Sequence, residues 1–324
     1  MSDLTDILRC PVTSRSLAWT SEGRLTAEGG PSYEYRDGIA YLLPTSGAGF
    51  DIDEASQNVL DFYESDGWTE DDKGKFGDTK TFTDVRSVSV DFSNRCMDRI
   101  GRYFRDGGRY LLDAGSGPIP HDALLRFGDQ FQQRVCLDLS VQGLKVAKRK
   151  LGERGVYVQG DLTNMPLATG SMDAVTCNHV LYQMPPEVQL EALLEVWRVL
   201  KPGGVAVMLY FWPRAPLDWR LEKVAKGIFG MRVPSSESAD ESADTVELPH
   251  YPMPESWFQS QNLPFSYKLD TFRAVGQHFM KRNVSNDWRG RAFLNALFTM
   301  QVLAPKFFAK HGAVPAIVIR KPKT

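Results

Sequence analysis

The sequence contains few cysteines and none of the arrangements that cysteine chemistry needs. Its 324 residues include four, Cys10, Cys96, Cys136 and Cys177, which lie far apart and form no Cys-x-x-Cys pair. Cys136 and Cys177 lie in apolar runs, where a buried thiol behaves as a small hydrophobic side chain. The sequence therefore predicts neither a disulfide framework nor a bound metal.

Long apolar runs and an excess of basic residues are also missing. No run approaches the roughly 20 apolar residues of a membrane-spanning helix, and the first eleven residues lack the pattern of a secretory signal. We therefore expect a cytoplasmic protein that makes no use of a membrane. The formal net charge of −2 gives the chain no general attraction to nucleic-acid phosphates. A nucleic-acid partner is disfavoured, and the oligomeric state is left open.

Residues 1–45 predict a small β-rich unit, because short alternating segments are separated by the turns "EGG" and "RDG". The opening around Cys10 and the closing "RDGIAYLLP" resemble the Trm112-like module. Zinc-bearing relatives of that module carry a second cysteine three residues later, where this chain has Thr13. One cysteine cannot hold a tetrahedral zinc ion. The resemblance therefore implies a metal-free module for folding or interaction.

The remaining chain divides into two predicted parts. Residues 46–108 form a helical and aromatic linker and substrate cover. It ends in an amphipathic helix that begins at Asn94, is apolar at Met97, Ile100 and Phe104 and is closed by two glycines. Residues 109–324 begin with strands that alternate with helices as far as residue 212, which predicts an α/β, doubly wound, mostly parallel sheet. Residues 213–310 interrupt this alternation as a substrate-side insertion, and one long helical run over residues 289–312 precedes the last strand. Within it, residues 235–247 carry five acids and no base, which predicts a flexible surface loop.

A glycine turn follows the first strand of this alternating region, in "LLDAGSGPIPH". Gly115 and Gly117 allow a ligand to approach the backbone closely, because no Cβ intervenes. A dinucleotide fingerprint needs a third glycine where Pro120 stands. Asp113 would repel a pyrophosphate but attract a sulfonium and an ammonium group. The turn therefore favours S-adenosylmethionine, which carries both cations and no phosphate, over NAD.

Polar residues at the ends of the following strands fit the same donor. Asp138 lies 21 residues after Gly117, where a carboxylate accepts hydrogen bonds from both ribose hydroxyls. Asp161 is placed to accept a bond from the adenine amino group, and Leu162 to donate a backbone bond to the ring. Asn178 ends the fourth strand, near the methionine end of the donor. The predicted donor site comprises Asp113, Gly115, Gly117, His121, Asp138, Leu139, Asp161, Leu162 and Asn178. Asp113 and Asp138 also fit a purely structural role as helix caps.

With these motifs in register, the segment from "LLDAGSGP" to "LEVWRVLKPGG" resembles the class I S-adenosylmethionine-dependent methyltransferases, in particular the methyltransferase 11 type. The resemblance covers residues 108–212, in the order and spacing of that family. It implies a seven-stranded, Rossmann-like sheet and an enzyme that converts S-adenosylmethionine to S-adenosylhomocysteine. The chain departs from the family at Ile119, where the third glycine is expected, and at Gln183, where many relatives have histidine.

Methyl transfer from a sulfonium is an in-line displacement, for which the protein mainly aligns the reacting atoms. A base is needed only where the acceptor must lose a proton. His179 and Tyr182 follow the fourth strand and are the candidate catalytic residues, with His121 next. His179 fits a structural role as well, and Tyr182 fits an aromatic wall equally well.

The acceptor is expected to be a small molecule, because the segments before the first strand and after the fifth would enclose it. Tyr63, Trp68 and Arg86 are candidate substrate contacts, or ordinary packing residues. The layout also resembles ribosomal RNA guanine methyltransferases, so an rRNA or tRNA base is the alternative acceptor. This chain lacks their four-cysteine module and a clear basic stripe. A non-catalytic protein that binds S-adenosylmethionine is the third interpretation, which the intact acids disfavour.

Overall fold

The central element of the fold is a nine-stranded sheet. The computed structural model describes residues 4–44, 54–69, 76–231 and 249–323. The strands are β1 Ala18–Trp19, β2 Leu25–Thr26, β3 Ser32–Tyr33, β4 Tyr35–Arg36, β5 Ile39–Tyr41, β6 Gly108–Ala114, β7 Phe131–Asp138, β8 Gly155–Gln159, β9 Met172–Asn178, β10 Leu200–Leu209, β11 Tyr267–Arg273 and β12 Val314–Arg320. The helices are α1 Leu4–Ile7, α2 Glu54–Phe62, α3 Gly77–Phe82, α4 Ser87–Gly101, α5 Asp122–Leu125, α6 Val141–Leu151, α7 Pro186–Val199, α8 Asp218–Gly227, α9 Glu255–Ser260, α10 Gln277–Asn283, α11 Trp288–Leu303 and α12 Pro305–His311.

The strand order in this sheet is β11-β12-β10-β9-β6-β7-β8-β5-β4. The strands from β10 through β9, β6, β7 and β8 to β5 are parallel, whereas β12 runs antiparallel between β10 and β11. Strand order reverses beside β6, between its neighbours β9 and β7. Ligands in such sheets bind at this switch point, beyond the carboxyl ends of the strands. The predicted doubly wound, mostly parallel sheet is confirmed, with seven strands from the later part of the chain.

Helices cover both faces of the sheet. Helices α4, α6 and α11 contribute Phe92, Leu144 and Phe293 to one buried cluster, and α7 and α9 contribute Leu193 and Phe258 to the other. Neighbouring residues of β6 join different clusters, because successive side chains of a strand point to opposite faces. This burial on both faces explains why the central strands are continuous apolar runs rather than alternating ones.

The residues before β6 form helices, as the sequence predicts. The apolar positions Met97, Ile100 and Phe104 of the predicted amphipathic helix are all buried. Helix α4 begins at Ser87, well before the predicted start, and α2 continues into a π-helix over Tyr63–Gly67. The acidic stretch 235–247 lies outside the described residues.

The N-terminal residues are attached to the central sheet. Strands β1, β2 and β3 make a small antiparallel sheet, but β5 pairs in parallel with β8 and extends the central sheet. Leu8 forms an isolated bridge with Leu167, and Asn164 Nδ2 donates to the Pro11 carbonyl at 2.9 Å. Ile39 and Leu42 are buried, because this pairing covers what would otherwise be an open sheet edge. The β-rich character is confirmed, and the boundary at residue 45 stays a prediction.

Helices α11 and α12 follow one another with a sharp bend. No single helix in the described part of the chain is long and apolar enough to cross a bilayer, and these two pass such a test only as a pair bent by 110°. Pro305 begins α12, and proline cannot continue the preceding helix without losing a backbone hydrogen bond. The long helical run predicted before the last strand is therefore two helices.

Candidate functional site

A cavity of about 1290 Å³ opens at the carboxyl ends of the parallel strands. This volume exceeds the roughly 300–1,000 Å³ of most single-ligand pockets, which gives room for two ligands side by side. Most of the residues predicted for the donor, the chemistry and the acceptor line this one cavity. They are Asp113, Gly115, Gly117, His121, Asp138, Leu139, Leu162, Asn178, His179, Tyr182, Tyr63 and Trp68.

The glycine turn forms the floor of the cavity beside β6. Gly115 and Gly117 have φ of 72° and 47°, in the left-handed region that favours glycine. A Cβ on Gly115 would lie 2.5 Å from Val180 Cγ2, and one on Gly117 would lie 2.8 Å from Trp68 Cζ2. Ile119, in place of the family's third glycine, keeps a left-handed φ of 51° while fully buried. The turn therefore retains its glycine-like course although the third glycine is missing.

Asp138 ties this turn to the second strand. Its Oδ2 accepts a hydrogen bond from the Gly117 N–H at 2.7 Å, and its Oδ1 accepts one from Ser140 N–H at 2.8 Å. Burial raises its pKa to about 6, although both backbone bonds act to lower it. Each carboxylate oxygen has a further lone pair that a ligand hydroxyl can use. Asp138 thus holds the turn in place but does not cap a helix, since Ser140 caps α6, and it also lines the cavity.

Asp113 is not the isolated negative charge that the sequence argument assumed. Its Oδ2 accepts hydrogen bonds from Arg134, including one from Nε at 3.1 Å, and both side chains are buried. Arg134 also donates from Nη1 to the Leu124 carbonyl at 2.6 Å. The pair forms because β6 and β7 lie side by side, which the spacing of the motif alone does not reveal. The attraction of Asp113 for a sulfonium is therefore largely balanced within the protein.

Of the two residues predicted to hold the adenine, only Leu162 lines the cavity. The Asp161 carboxylate accepts a bond from the Thr163 N–H at 2.8 Å and so caps the short turn Leu162–Asn164. Contact between Asp161 and an adenine amino group stays a prediction.

The end of the cavity beyond β9 is aromatic. The His179 ring lies 6.1 Å from Tyr182 and 5.9 Å from Phe272 between ring centroids, and the Tyr182 ring lies 5.2 Å from His250 and 6.1 Å from Phe211. Phe211, His250 and Phe272 were not singled out from the sequence, because they belong to no motif and come from two distant segments. An aromatic enclosure of this kind suits a flat, apolar ligand.

Two of the histidines that line the cavity, His179 and His121, are held neutral. Burial, followed by the charge of Arg273, lowers the pKa of His179 to about 3. The same two causes, with Lys150, lower the pKa of His121 to about 4. A neutral imidazole can accept a proton, but one with so low a pKa is a weak base in the absence of a ligand. Acid–base roles for His179 and Tyr182 stay predictions.

Two of the candidate substrate residues, Tyr63 and Trp68, form a stacked pair that packs against the glycine turn. The Tyr63 and Trp68 rings stack at 4.4 Å between centroids with an angle of 13°, and Trp68 packs against Gly117. The Tyr63 hydroxyl accepts a hydrogen bond from Gln183 Nε2 at 3.2 Å. Trp68 Nε1 is buried and has no hydrogen-bond partner within the described residues. Tyr63 and Trp68 therefore cover the part of the cavity that is predicted to hold the donor, and not the aromatic part beyond β9.

Arg86, the third candidate substrate residue, is not among the residues that line the cavity. Its guanidinium pairs with Asp84 through bonds of 2.9 and 2.7 Å. It also donates to the Val284 carbonyl at 2.8 Å and to the Met280 carbonyl at 2.6 Å. These bonds join the start of α4 to the end of α10, and contact between Arg86 and a substrate stays a prediction.

The residues around Cys10 form a compact hydrogen-bonded corner. The Cys10 thiol lies 3.2 Å from the Tyr33 hydroxyl and accepts from the Thr13 N–H at 3.4 Å. Within the described ranges, no group of three His, Cys, Asp or Glu side chains is arranged to hold a metal ion. The likeness of this unit to a Trm112-like module stays a prediction.

Comparison with known proteins adds an independent observation. Residues 112–208 match the family described as "Methyltransferase domain". A demethylmenaquinone methyltransferase of Beutenbergia cavernae is 34% identical over 140 residues, which are 42% of this chain and 55% of that protein. A malonyl-[acyl-carrier protein] O-methyltransferase of Legionella pneumophila is 33% identical over 100 residues, which are 30% of this chain and 35% of that protein. The chain thus spans about half or less of the length of these curated relatives.

A solved structure shows the same fold. Phosphoethanolamine N-methyltransferase 1 of Haemonchus contortus superposes with a TM-score of 0.50 at 12% identity, over 83% of this chain and 49% of that one. Together with the matched domain, this likeness identifies the sheet as a Rossmann-like methyltransferase fold.

Proposed function

We propose that the protein is an S-adenosylmethionine-dependent methyltransferase that methylates a small molecule by in-line displacement. The carrying observation is the glycine turn held by Asp138 at the edge of a cavity large enough for donor and acceptor together. The match of residues 112–208 to a methyltransferase domain supports the choice of donor. The demethylmenaquinone and malonyl-carrier relatives support a small or carrier-borne acceptor over a nucleic acid.

The cavity residues fit such a donor. Gly115 and Gly117 line the cavity at positive φ, and a Cβ on either would meet Val180 or Trp68. The turn therefore brings main chain rather than side chains to the place where a nucleoside would bind. The free lone pairs of Asp138 would accept the ribose hydroxyls, and the Leu139 and Leu162 side chains would flank the adenine. Trp68 would close over the turn. The donor supplies an electrophilic methyl group when it is bound.

The chain's own residues contribute alignment and exclusion of water. The rings of Tyr182, Phe211 and Phe272 surround the space beyond β9, where an acceptor would meet the methyl group. Holding the two reactants in line removes most of the entropic cost of the reaction. Because the pKa of His179 is lowered to about 3, the imidazole is neutral at physiological pH and can accept a hydrogen bond from an acceptor hydroxyl.

Isothermal titration calorimetry tests the proposal directly. We expect S-adenosylmethionine and S-adenosylhomocysteine to bind the protein and NADH not to bind. Gly117→Ala should abolish binding, because its Cβ would meet Trp68. Gly170→Ala is the matched control, since Gly170 also has a positive φ but has nothing within 4 Å of an added Cβ. Binding of NADH, or no binding of either sulfur ligand, would refute the proposal.

A further inference from the structure

We propose that Arg273 binds an anionic oxygen of the acceptor, so that the substrate is an aromatic acid. This inference rests on the proposed function and specifies its substrate class. It joins two features of one cavity, a buried arginine without a counter-ion and a wall of aromatic rings beside it.

Arg273 ends strand β11 and lines the cavity while only 5% exposed. Its Nη1 donates to Ser93 Oγ at 3.3 Å, which is a weak bond to a neutral group. Its Nε is buried without a hydrogen-bond partner among the described residues. No ion pair with a described carboxylate satisfies this guanidinium, in contrast to buried Arg134, which pairs with Asp113.

A buried charge without a partner is unfavourable, because it has lost its hydration without gaining a counter-ion. An anionic ligand in the cavity would supply the missing counter-ion. The planar guanidinium matches a carboxylate in geometry and donates two parallel hydrogen bonds to it. The orphaned Nε–H therefore points to an oxyanion rather than to a neutral ligand.

The surroundings of Arg273 define the rest of the ligand. The preceding residue, Phe272, packs against His179, whose ring also faces Tyr182. Arg273, His179 and His121 line the same cavity, and the charge of Arg273 adds to burial in lowering the pKa of both histidines. A flat ring carrying a carboxylate satisfies the aromatic wall and the arginine together.

The carboxylate of the donor's methionine is a second source of the same chemistry. The two sources differ in a measurable way, because 5′-methylthioadenosine lacks that carboxylate whereas S-adenosylhomocysteine carries it. If Arg273 held the donor, its replacement would weaken S-adenosylhomocysteine and leave 5′-methylthioadenosine unchanged. If Arg273 holds the acceptor, neither ligand changes in affinity.

The test uses calorimetry on the full chain saturated with S-adenosylhomocysteine. The probes are benzoate, 4-hydroxybenzoate and 2-naphthoate, each paired with its uncharged amide. We expect at least one acid to bind about tenfold or more tightly than its amide, and Arg273→Met to remove that preference. Arg282→Met is the matched control, because Arg282 lines the same cavity but is exposed, and it should preserve the preference.

Several results would overturn the inference. In the unaltered protein, these results are that none of the three acids binds, or that acid and amide bind equally well. In Arg273→Met, they are that the preference for the acid is unchanged, or that S-adenosylhomocysteine loses affinity while 5′-methylthioadenosine does not. If Arg273→Met does not fold, the comparison of acid with amide in the unaltered protein still tests the inference. Failure of S-adenosylhomocysteine itself to bind would instead refute the proposed function, so the two failures are distinguishable.

Discussion

At the residue scale, Asp138 joins the fold to the proposed donor site. Its two oxygens already accept bonds from Gly117 and Ser140, so its position is fixed before any ligand arrives. Preorganised acceptors of this kind contribute more to affinity than mobile ones, because little entropy is lost when the ligand binds. The same burial that fixes the carboxylate raises its pKa to about 6.

This raised pKa predicts a pH-dependent donor affinity. Ribose hydroxyls donate to the ionised carboxylate, so the complex favours the deprotonated form and the free protein binds the proton more tightly. Affinity for S-adenosylhomocysteine should be constant from pH 7 to 8 and should fall toward about tenfold per pH unit below pH 6. Titration calorimetry across this range measures the slope.

Asp138→Asn is the control for that slope. It keeps the size of the side chain but removes the charge, so affinity at pH 7.5 should fall by about 1–3 kcal/mol and become nearly independent of pH. If Asp138→Asn kept the pH dependence of the unaltered protein, another group would be the one that titrates. Asp218 is such a group, because it lines the cavity and its pKa is also raised to about 6 by burial.

Single residues also show what the sequence can and cannot predict. The glycine turn and Asp138 were predictable, because their roles depend on backbone conformation and on spacing along one chain segment. The pairing of Asp113 with Arg134 and the burial of Arg273 were not, because both depend on which strands lie side by side. The cap that Asp161 forms on a local turn was also not predicted, and its contact with an adenine stays a prediction.

At the scale of elements, the attachment of α4 to α10 shapes one side of the cavity. Asp84 is 2% exposed and accepts bonds from Arg86 and from Ser89 Oγ at 2.6 Å. Burial acts to raise the pKa of Asp84, but the bonds from Arg86 and Ser89 outweigh it and lower that pKa. Arg86 reaches from this carboxylate to the Val284 and Met280 carbonyls, so one side chain joins the two helices.

We predict that Arg86→Met lowers the free energy of unfolding by about 3 kcal/mol, because it leaves a buried carboxylate unpaired. Arg291→Met is the matched control. Arg291 also pairs with an acid on α4, Asp91, but both partners are more than half exposed, at 54% and 55%. Arg291→Met should lower the free energy of unfolding by less than about 1 kcal/mol. Urea denaturation followed by circular dichroism measures both, and equal losses would contradict the assignment of Arg86.

Helix starts can be read from the sequence where one local signal dominates. Ser140 caps α6 by accepting a bond from the Gly143 N–H at 3.0 Å, as its position before the apolar run indicates. The start of α4 was missed, because Arg86 at its N-cap is held by contacts with distant residues and not by a capping side chain.

At the scale of the whole molecule, the N-terminal segment is built into the main sheet. Its strand β5 lies beside β8, and its buried residues belong to the same two clusters as the core of the later residues. The sequence indicated a separate unit, because its turn-rich composition differs from that of the alternating region. Composition reports local structure, but it does not report that an edge strand needs a partner.

This integration predicts that damage to the N-terminal segment unfolds the whole chain. Leu8 is fully buried, so Leu8→Ser should lower the free energy of unfolding by about 3–5 kcal/mol through lost burial and an unsatisfied hydroxyl. Val12→Ser, at a position 47% exposed, should change it by less than about 0.5 kcal/mol. Thermal unfolding should show a single transition in both variants. Separate transitions for the two parts of the chain would contradict a shared core.

The most direct test of the central claim is a crystal structure of the full chain with S-adenosylhomocysteine. We expect the ribose hydroxyls on the Asp138 carboxylate, the adenine beside Leu139 and Leu162, and the sulfur directed toward the aromatic rings of His179 and Tyr182. A ligand bound away from the glycine turn, or with its ribose out of reach of Asp138, would contradict that claim.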